Sequence, residues 1–315
     1  MPTPDHNVAS SHSAWITIGT FDGVHRGHQA ILGQLIQRAQ TAGVPAMVIT
    51  FHPHPAEVLR NLNEPYYLCS LDERKDLLKA VGVDQVLVLP FTLEFSRQSA
   101  RQFILALRDQ VHFSGILVGH DFHFGAGREG DMSTLQALGA ELGFSVETFP
   151  AQTIDGEVIS SSTIRQLLRL GQVQQAAQLL GRWYAINGEV VHGDGRGRHI
   201  GIPTANLAVW SKQLLPAIGV YAARVELEGV EYPAVLSIGK RPTFYSSLAE
   251  QTLEVHILDF HQDLYGKMMQ VKFIDYLRDE LRFGSAGELT EQIQKDILLT
   301  REVLAHAPQT PNLPA

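Results

Sequence analysis

One run of ten residues constrains the fold of this chain more than any other. It is a glycine-rich turn, from Gly19 to His28, between a short apolar segment at 15–18 and apolar residues that recur three and four apart. This pattern predicts a strand, a tight turn and a helix. The turn delivers His25 and His28 to the first helical turn, where free N–H groups and the helix dipole favour an anion. Both imidazoles lie on one side and can donate to phosphate oxygens. A Walker loop would need a Gly-Lys-Ser/Thr ending, which this run lacks.

The first half of the chain alternates strand and helix patterns. Further strands are predicted at 46–49, 85–89, 115–118 and 145–149, and helices at 71–80, 99–108, 134–142, 163–170 and 173–180. Such alternation is typical of a parallel sheet with helices on both faces. We therefore expect a Rossmann-like α/β domain.

The predicted secondary structure changes near Trp183, where the second half of the chain begins. Short β-rich runs are predicted at 219–227, 232–238, 252–258 and 268–273, separated by glycine and proline turns. They indicate an antiparallel barrel or sandwich, and an amphipathic helix is predicted at 286–304. We expect one domain over 1–182, a second over 183–304, and a disordered tail over 305–315, which carries three prolines.

The composition restricts the class of protein. The 315 residues are 44% hydrophobic and 18% charged, as in an ordinary globular chain of two domains. The net charge of −8 argues against a nucleic-acid partner. No apolar run reaches the roughly 20 residues of a membrane helix, and the N-terminus lacks the pattern of a secretory signal. Cys69 is the only cysteine, which excludes internal disulfides. We expect a cytoplasmic protein with no membrane partner.

Two polar clusters follow predicted strands of the first half. His52, Pro53 and His54 come after the second strand, and Asp121 and His123 follow the strand at 115–118. Ligands of open α/β sheets bind at the carboxyl ends of the strands, so these residues are candidate substrate contacts. Pro53 and Pro55 stiffen the backbone and hold the imidazoles at fixed angles.

Hydroxyl groups and a cation open the helix predicted at 163–170. Ser161 and Ser162 can bind phosphate oxygens at the helix start, and Arg165 can neutralise phosphate charge. Three successive serines beside an arginine are more than a helix cap requires.

A glycine-rich stretch of the second half ends in Pro-Thr-Ala-Asn. Gly193, Gly195 and Gly201 let the backbone approach a ligand closely. Thr204 and Asn206 offer oxygen ligands suited to Mg²⁺ and donors suited to phosphate.

Taken in the order in which they occur along the chain, these motifs resemble those of one protein family. The run 19–28 resembles the HxGH element of nucleotidyltransferases, in the form found in bacterial bifunctional riboflavin kinase/FMN adenylyltransferases (FAD synthetases). Residues 119–125 resemble the family's G-x-[DN]-F-x-F-G element, with His123 where arginine is common, and residues 159–165 resemble its ISST-x-IR element. The Pro-Thr-Ala-Asn ending resembles the flavokinase domain, as does 239–244, similar to I-G-x-x-P-T-F. The resemblance covers nearly all of residues 15–303, in the order that the family has.

The resemblance implies a bifunctional enzyme with two ATP sites. Riboflavin would be phosphorylated to FMN, and FMN would be adenylylated to FAD, with Mg²⁺ as cofactor. His28 and Arg165 would be catalytic in adenylyl transfer, and Glu254 would be the general base of the kinase. The remaining implied ATP contacts of the transferase are Gly19, Phe21, Asp22, His25, Ser161 and Ser162. Mg²⁺-ATP of the kinase would be held by the glycine-rich stretch with Thr204 and Asn206.

Other interpretations stay open from the sequence. His52, His54, His120 and His123 form two close pairs that suit a zinc hydrolase, although no carboxylate is placed nearby to complete the set. Alternation along its strand could turn Glu254 outward into a surface salt bridge. A kinase without adenylyl transfer, suggested by His123, and a non-catalytic flavin-binding protein are the remaining alternatives.

Overall fold

The structure is a computed structural model that describes residues 13–154, 156–193, 201–241 and 250–311. The chain forms two compact units. The first contains Met1–Asn63 and Leu71–Ile159, and the second contains Glu64–Ser70 and Ser160–Ala315.

A parallel sheet forms the centre of the first unit. Its strands, within the described residues, lie in the order β3-β2-β1-β4-β5. They are β1 Ala14–Ile18, β2 Ala46–His52, β3 Gln85–Pro90, β4 Phe113–Gly119 and β5 Ser145–Phe149. Ile16 of β1 pairs with Met47 on one side and with Ile116 on the other. The strand order reverses between β1 and β4, and ligands of such sheets bind at the carboxyl ends beside that reversal.

Helices cover both faces of this sheet. They are α1 Arg26–Ala42, α2 Pro55–Arg60, α3 Leu71–Val81, α4 Ala100–Gln110 and α5 Met132–Leu142. The core on one face joins α1 and α3 to strand residues such as Val48, and the core on the other joins α4 and α5 to residues such as Ile16. A small hairpin follows, with β6 Thr153–Ile154 and β7 Glu157–Val158. The predicted α/β class is confirmed for this unit.

An antiparallel barrel forms the centre of the second unit. In the described residues it closes in the order β10-β11-β12-β9-β8-β13. The strands are β8 Tyr184–Val191, β9 Ala205–Val209, β10 Gly219–Leu227, β11 Val230–Arg241, β12 Glu250–Ile257 and β13 Met268–Arg278. The helix α8, Ala286–His306, follows the last strand. The prediction of a barrel with a C-terminal helix is confirmed.

Two further helices belong to the unit of the barrel. They are α6 Ser161–Arg169 and α7 Val173–Leu180. Ile164, Leu168 and Leu180 are fully buried in the same apolar cluster as the barrel residue Ile186. The sequence predicts a domain that ends at 182 and includes both helices, whereas the compact unit of the barrel includes Ser160 onward.

The C-terminal residues up to 309 are held by hydrogen bonds, in contrast to the tail expected from 305. Arg224 donates from Nη2 to Ala307 O at 2.8 Å and from Nη1 to Pro308 O at 3.1 Å. The indole of Trp183 donates to Gln309 O at 3.2 Å. Pro308 follows Ala307, the C-cap of α8, and the carbonyl oxygens of 307–309 accept these hydrogen bonds from Arg224 and Trp183. Residues 312–315 lie outside the described part.

Candidate active sites

The histidine turn joins β1 to α1 in the first unit. His25 is the N-cap of α1, and its Nδ1 accepts the backbone N–H of His28 at 3.3 Å. The two imidazole rings are stacked, with centroids 3.6 Å apart and planes 17° apart. Because Nδ1 of His25 is an acceptor, the neutral ring carries its proton on Nε2. The predicted arrangement of two imidazoles at a helix N-terminus is therefore present.

The shape of this turn depends on residues with left-handed backbone conformations. Phe21 has φ +49°, Gly23 has φ +78° and Val24 has φ +36°. Phe21, Asp22 and Val24 are buried, and the Phe21 ring lies 5.0 Å from the His28 ring. A methyl group at Gly19 would approach the Phe21 ring to 3.1 Å. Tight packing thus fixes the loop that presents the histidines.

The end of β2 carries the second histidine pair. His54 is the N-cap of α2, and its Nδ1 accepts the backbone N–H of Ala56 at 3.0 Å. His54 is only 8% exposed, and the peptide bond between His52 and Pro53 is cis. The Thr50 hydroxyl donates to Thr20 O at 3.0 Å, which joins the end of β2 to the histidine turn.

The loop after β4 carries Asp121 and His123, and both side chains are exposed. His123 Nδ1 lies 2.8 Å from Asp121 O and 3.1 Å from Arg128 Nη2. A guanidinium group therefore lies beside the histidine that stands where the family commonly has arginine. Arg128 is not among the residues predicted from the sequence, although an arginine five residues after His123 is visible there.

The residues predicted to bind phosphate at the start of α6 lie in the second unit, whereas the histidine turn lies in the first. Ser160 is the N-cap of α6 and accepts the backbone N–H of Thr163 at 3.1 Å; Ser161 is the first helical residue and Ser162 follows it. Arg165 is 4% exposed, donates from Nε to Tyr66 O at 2.8 Å, and stacks 3.8 Å above the Tyr66 ring. Its contacts with Tyr66 tie the segment Glu64–Ser70 to α6.

The predicted kinase residues come together on the barrel. Glu254 of β12 pairs in register with Asn206 of β9, and the Thr204 hydroxyl donates to Glu254 Oε2 at 3.4 Å. Leu253 and Val255 face the apolar core, so the alternation of the strand turns Glu254 to the outer face. The outward orientation that suggested a salt bridge instead places Glu254 beside Thr204 and Asn206.

The glycine-rich stretch packs against the same residues. A methyl group at Gly193 would overlap the Asn206 side-chain amide, so only glycine fits there without a shift. Gly201 has φ +75°, a left-handed conformation that favours glycine. Gly195 lies outside the described residues, as does the 242–244 part of the element at 239–244. β8 ends at Val191, just before Gly193, and β9 begins at Ala205, just after Thr204.

A cavity of about 440 Å³ opens beside Thr204 in the second unit. Apolar barrel residues, among them Val190 and Ile257, line one side, and the loop 260–265 lines the other. The ring of His192 stacks on Tyr265 of this loop, with centroids 3.7 Å apart.

Comparison with known proteins accounts for both units. A family model described as FAD synthetase matches residues 7–163, and one described as riboflavin kinase matches residues 180–304. The bifunctional riboflavin kinase/FMN adenylyltransferase of Escherichia coli strain K12 is 42% identical over 301 residues, covering 94% of this chain and 95% of the relative. The protein of the same name from Bacillus subtilis strain 168 is 38% identical, covering 93% of each chain. The chain belongs to this family.

A solved structure also resembles the whole chain. It is the crystal structure of a Streptococcus pneumoniae protein named a macrolide-efflux protein, with a TM-score of 0.85, 32% identity, and coverage of 94% of this chain and 96% of that one. In the described ranges, none of the helices of the present chain is both long and apolar enough to cross a bilayer.

The family assignment made from the sequence is confirmed, and the zinc hypothesis finds no support. No group of three His, Cys, Asp or Glu side chains that could hold a metal ion occurs in the described ranges. Thr204 and Asn206 offer a hydroxyl and an amide oxygen, the hard donors that Mg²⁺ accepts alongside phosphate and water.

Proposed function

We propose that the two reactions of this bifunctional enzyme take place at separate ATP sites, one in each compact unit. The chain phosphorylates riboflavin with ATP to FMN, and then adenylylates FMN with ATP to FAD. Adenylyl transfer is assigned to the histidine turn of the first unit, and phosphoryl transfer to the Thr204–Asn206–Glu254 site of the second. The observation that carries the proposal is the register of Glu254 with Asn206, with the Thr204 hydroxyl bonded to the carboxylate.

In adenylyl transfer, the FMN phosphate attacks the α-phosphorus of ATP, and pyrophosphate leaves with its electron pair. The nucleophile is already an anion, so no protein base has to remove a proton. Catalysis then rests on charge stabilisation by donors at the N-terminus of α1. His25 Nε2–H is such a donor, and His28 lies stacked on it. Gly19, Phe21 and Asp22 shape the turn that holds both rings.

The FMN side of this site is assigned to the loops after β2 and β4. His54 keeps Nε2 as its protonated nitrogen, because its Nδ1 accepts the Ala56 N–H. His52, Pro53, Asp121 and His123 complete the assigned set, and Arg128 supplies a guanidinium group beside His123. Ser161, Ser162 and Arg165 keep the role in adenylyl transfer that the resemblance implies.

In phosphoryl transfer, the terminal ribityl hydroxyl attacks the γ-phosphorus and ADP leaves. Glu254 accepts the hydroxyl proton as general base, and the Thr204 hydroxyl orients its carboxylate. Thr204 and Asn206 would hold Mg²⁺, which supplies neutralisation of the charge on the phosphates. Gly193 allows the backbone to lie against the Asn206 amide. The cavity beside Thr204, with its apolar wall, suits a flat aromatic ring.

The cellular location, the partners and the domain organisation of the enzyme are part of the same proposal. The single cysteine and the acidic net charge support a cytoplasmic enzyme without a nucleic-acid or membrane partner. Each unit has its own apolar cores, which supports two modules, with α6 and α7 part of the kinase module.

The experiment incubates pure protein with riboflavin, ATP and Mg²⁺ and separates the flavins. FAD supports the proposal; FMN alone supports a kinase without adenylyl transfer; unchanged riboflavin supports a flavin-binding protein. His28→Ala tests the site assignment, because it should abolish most FAD formation and leave FMN formation intact. If both products fell together in a folded variant, the assignment of His28 to one site would be wrong.

A further inference from the structure

Arg74 is a fully buried arginine in the first unit that neither the sequence analysis nor the proposed sites use. Its exposed fraction is 0%, and it lies on α3 one turn before Leu78, which is equally buried in the core under the sheet. Arginine is almost never fully buried unless it is paired. Because Arg74 is in the first half of α3, it also lies near the positive end of the helix dipole, which disfavours a cation.

The contacts of Arg74 join the two loops that carry the predicted transferase histidines. Its Nη1 donates to Thr20 O at 2.9 Å, in the histidine turn, and to Phe51 O at 3.1 Å, at the end of β2. It also donates to the Thr50 hydroxyl at 3.3 Å. The residue after Phe51 is His52, and the turn that begins with Gly19 leads to His25. One nitrogen atom thus ties both segments together.

The charge of Arg74 is not matched by these partners. All three acceptors are neutral oxygens, and no carboxylate of the described residues forms an ion pair with it. Its Nε and Nη2 have no hydrogen-bond partner among the described residues. An unpaired charge in a low-dielectric interior is costly unless another charge compensates it. A polyanion bound at the neighbouring histidine turn is such a charge.

We propose that Arg74 is a positioning residue of the adenylyl-transfer site. It holds the histidine turn against the end of β2, and its buried positive charge favours binding of the ATP phosphates at that turn. The inference rests on the proposed assignment of adenylyl transfer to the histidine turn. It assigns no contact between Arg74 and the substrate.

The test compares Arg74→Met, which removes the charge and keeps the length, with Arg74→Lys, which keeps the charge and one donor group. FAD formation from supplied FMN is measured over a range of ATP concentrations, and FMN formation from riboflavin is measured in the same preparations. Misplacement of a positioned group by about 1 Å lowers rates by roughly 10². We expect kcat/KM for ATP in FAD formation to fall about 10²-fold in Arg74→Met and by a smaller factor in Arg74→Lys. Kinase kcat and KM should stay within about two-fold.

Arg108→Met is the matched control. Arg108 also donates to a backbone oxygen, Leu142 O at 2.6 Å, and packs on Phe113 and Phe144. It lies in the last turn of α4, close to the amino ends of β4 and β5. The histidines follow the carboxyl ends of β1 and β2, at the opposite end of the strands. Its loss should lower the Tm while changing kcat/KM for ATP by less than about three-fold, as expected of a structural residue.

The outcomes separate three cases. A fall of about 10²-fold in kcat/KM for ATP in Arg74→Met, carried at least in part by a raised KM and partly restored in Arg74→Lys, supports the inference. An Arg74→Met variant that behaves like Arg108→Met, or equal losses in both Arg74 variants, overturns it. Should Arg74→Met fail to fold, Arg74→Lys decides: a Tm loss with unchanged KM for ATP overturns the inference, and a raised KM supports it. His28→Ala, measured in parallel, tests the site itself, because retained FAD formation in that variant would refute the proposed site and not Arg74 specifically.

Discussion

Glu254 and Asn206 occupy the same register position on adjacent antiparallel strands, β12 and β9, on the outer face of the barrel. The pairing continues on both sides, with Ser237 opposite Glu254 and Val191 opposite Asn206. A carboxylate that would be a surface group on an isolated strand therefore lies beside an amide, with the Thr204 hydroxyl donating to it at 3.4 Å. This relationship turns three separate sequence positions into one candidate site.

Glu254→Gln tests the assignment of the general base. The amide keeps the shape of the side chain but cannot accept the proton, so FMN formation should fall by about 10²-fold or more, with riboflavin affinity little changed. Conversion of supplied FMN to FAD should continue. Kinase turnover and riboflavin binding are the measurements.

Asp259→Asn is the control for this substitution. Asp259 is bonded through both carboxylate oxygens to Arg301, at 2.7 and 2.9 Å, and is exposed, so its loss should leave the kinase rate within about two-fold. A Glu254→Gln enzyme within a few-fold of wild type would show that another residue is the base.

Gly193→Ala tests the packing of the glycine-rich stretch on Asn206. The added methyl group overlaps the Asn206 amide, so either the backbone or the amide must move. We expect a loss of at least about ten-fold in kcat/KM for ATP in the kinase reaction, because the displaced group binds the nucleotide in our assignment. FAD formation from supplied FMN should be unaffected.

Gly229→Ala is its matched control on the barrel. Gly229 has φ +81° in the turn between β10 and β11, and the space around it is open. It should lower the Tm through backbone strain without changing kinase kinetics. If both variants lost the same amount of kinase activity, the effect of Gly193→Ala would come from lower stability and not from the contact with Asn206.

Removing α6 and α7 should destabilise the kinase module. These helices bury Ile164, Leu168 and Leu180 in the core of the barrel unit. Each fully buried aliphatic side chain contributes about 1.5–3 kcal/mol, and about 1 kcal/mol shifts Tm by roughly 2–4 °C in a domain of this size. A fragment of residues 183–315 should therefore melt at least roughly 10 °C below one of residues 160–315. Calorimetry of both fragments, with riboflavin phosphorylation as the test of folding, decides; equal Tm values would support a boundary at 182.

The N-cap of α5, Asp131, should make the stability of the protein depend on pH in the acid range. Asp131 accepts the Thr134 N–H and the hydroxyls of Ser133 and Thr134, which lowers the pKa of its carboxyl to about 2. A lowered pKa stabilises the fold above the unfolded value near 4 and loses that effect as the pH falls through about 2. The difference in urea midpoint between wild type and Asp131→Ala should be constant above about pH 5 and shrink below about pH 4. A difference that does not change with pH would contradict this account.

Local sequence patterns were enough to identify most of the strands, helices and motifs. The run from Gly19 to His28 and the apolar residues on either side of it specify a strand, a turn and a helix, and the structure has each of them where the sequence places it. Strand β5 and strand β10 have the predicted bounds, because apolar alternation between turn residues is a local signal. The family could be recognised for the same reason, since its motifs are short contiguous runs.

Only the tertiary structure decided which parts meet. An amphipathic pattern shows that α6 and α7 bury one face but does not show that the barrel covers it, because that partner is chosen by contacts distant in sequence. The neighbours of Glu254 depend on strand register, which pairs it with a residue 48 positions earlier in the chain. In the sequence, Arg74 cannot be distinguished from the other charged residues of its helix. Its burial, and its bonds to Thr20 and Phe51, exist only because the sheet brings the ends of β1 and β2 together above the first turns of α3.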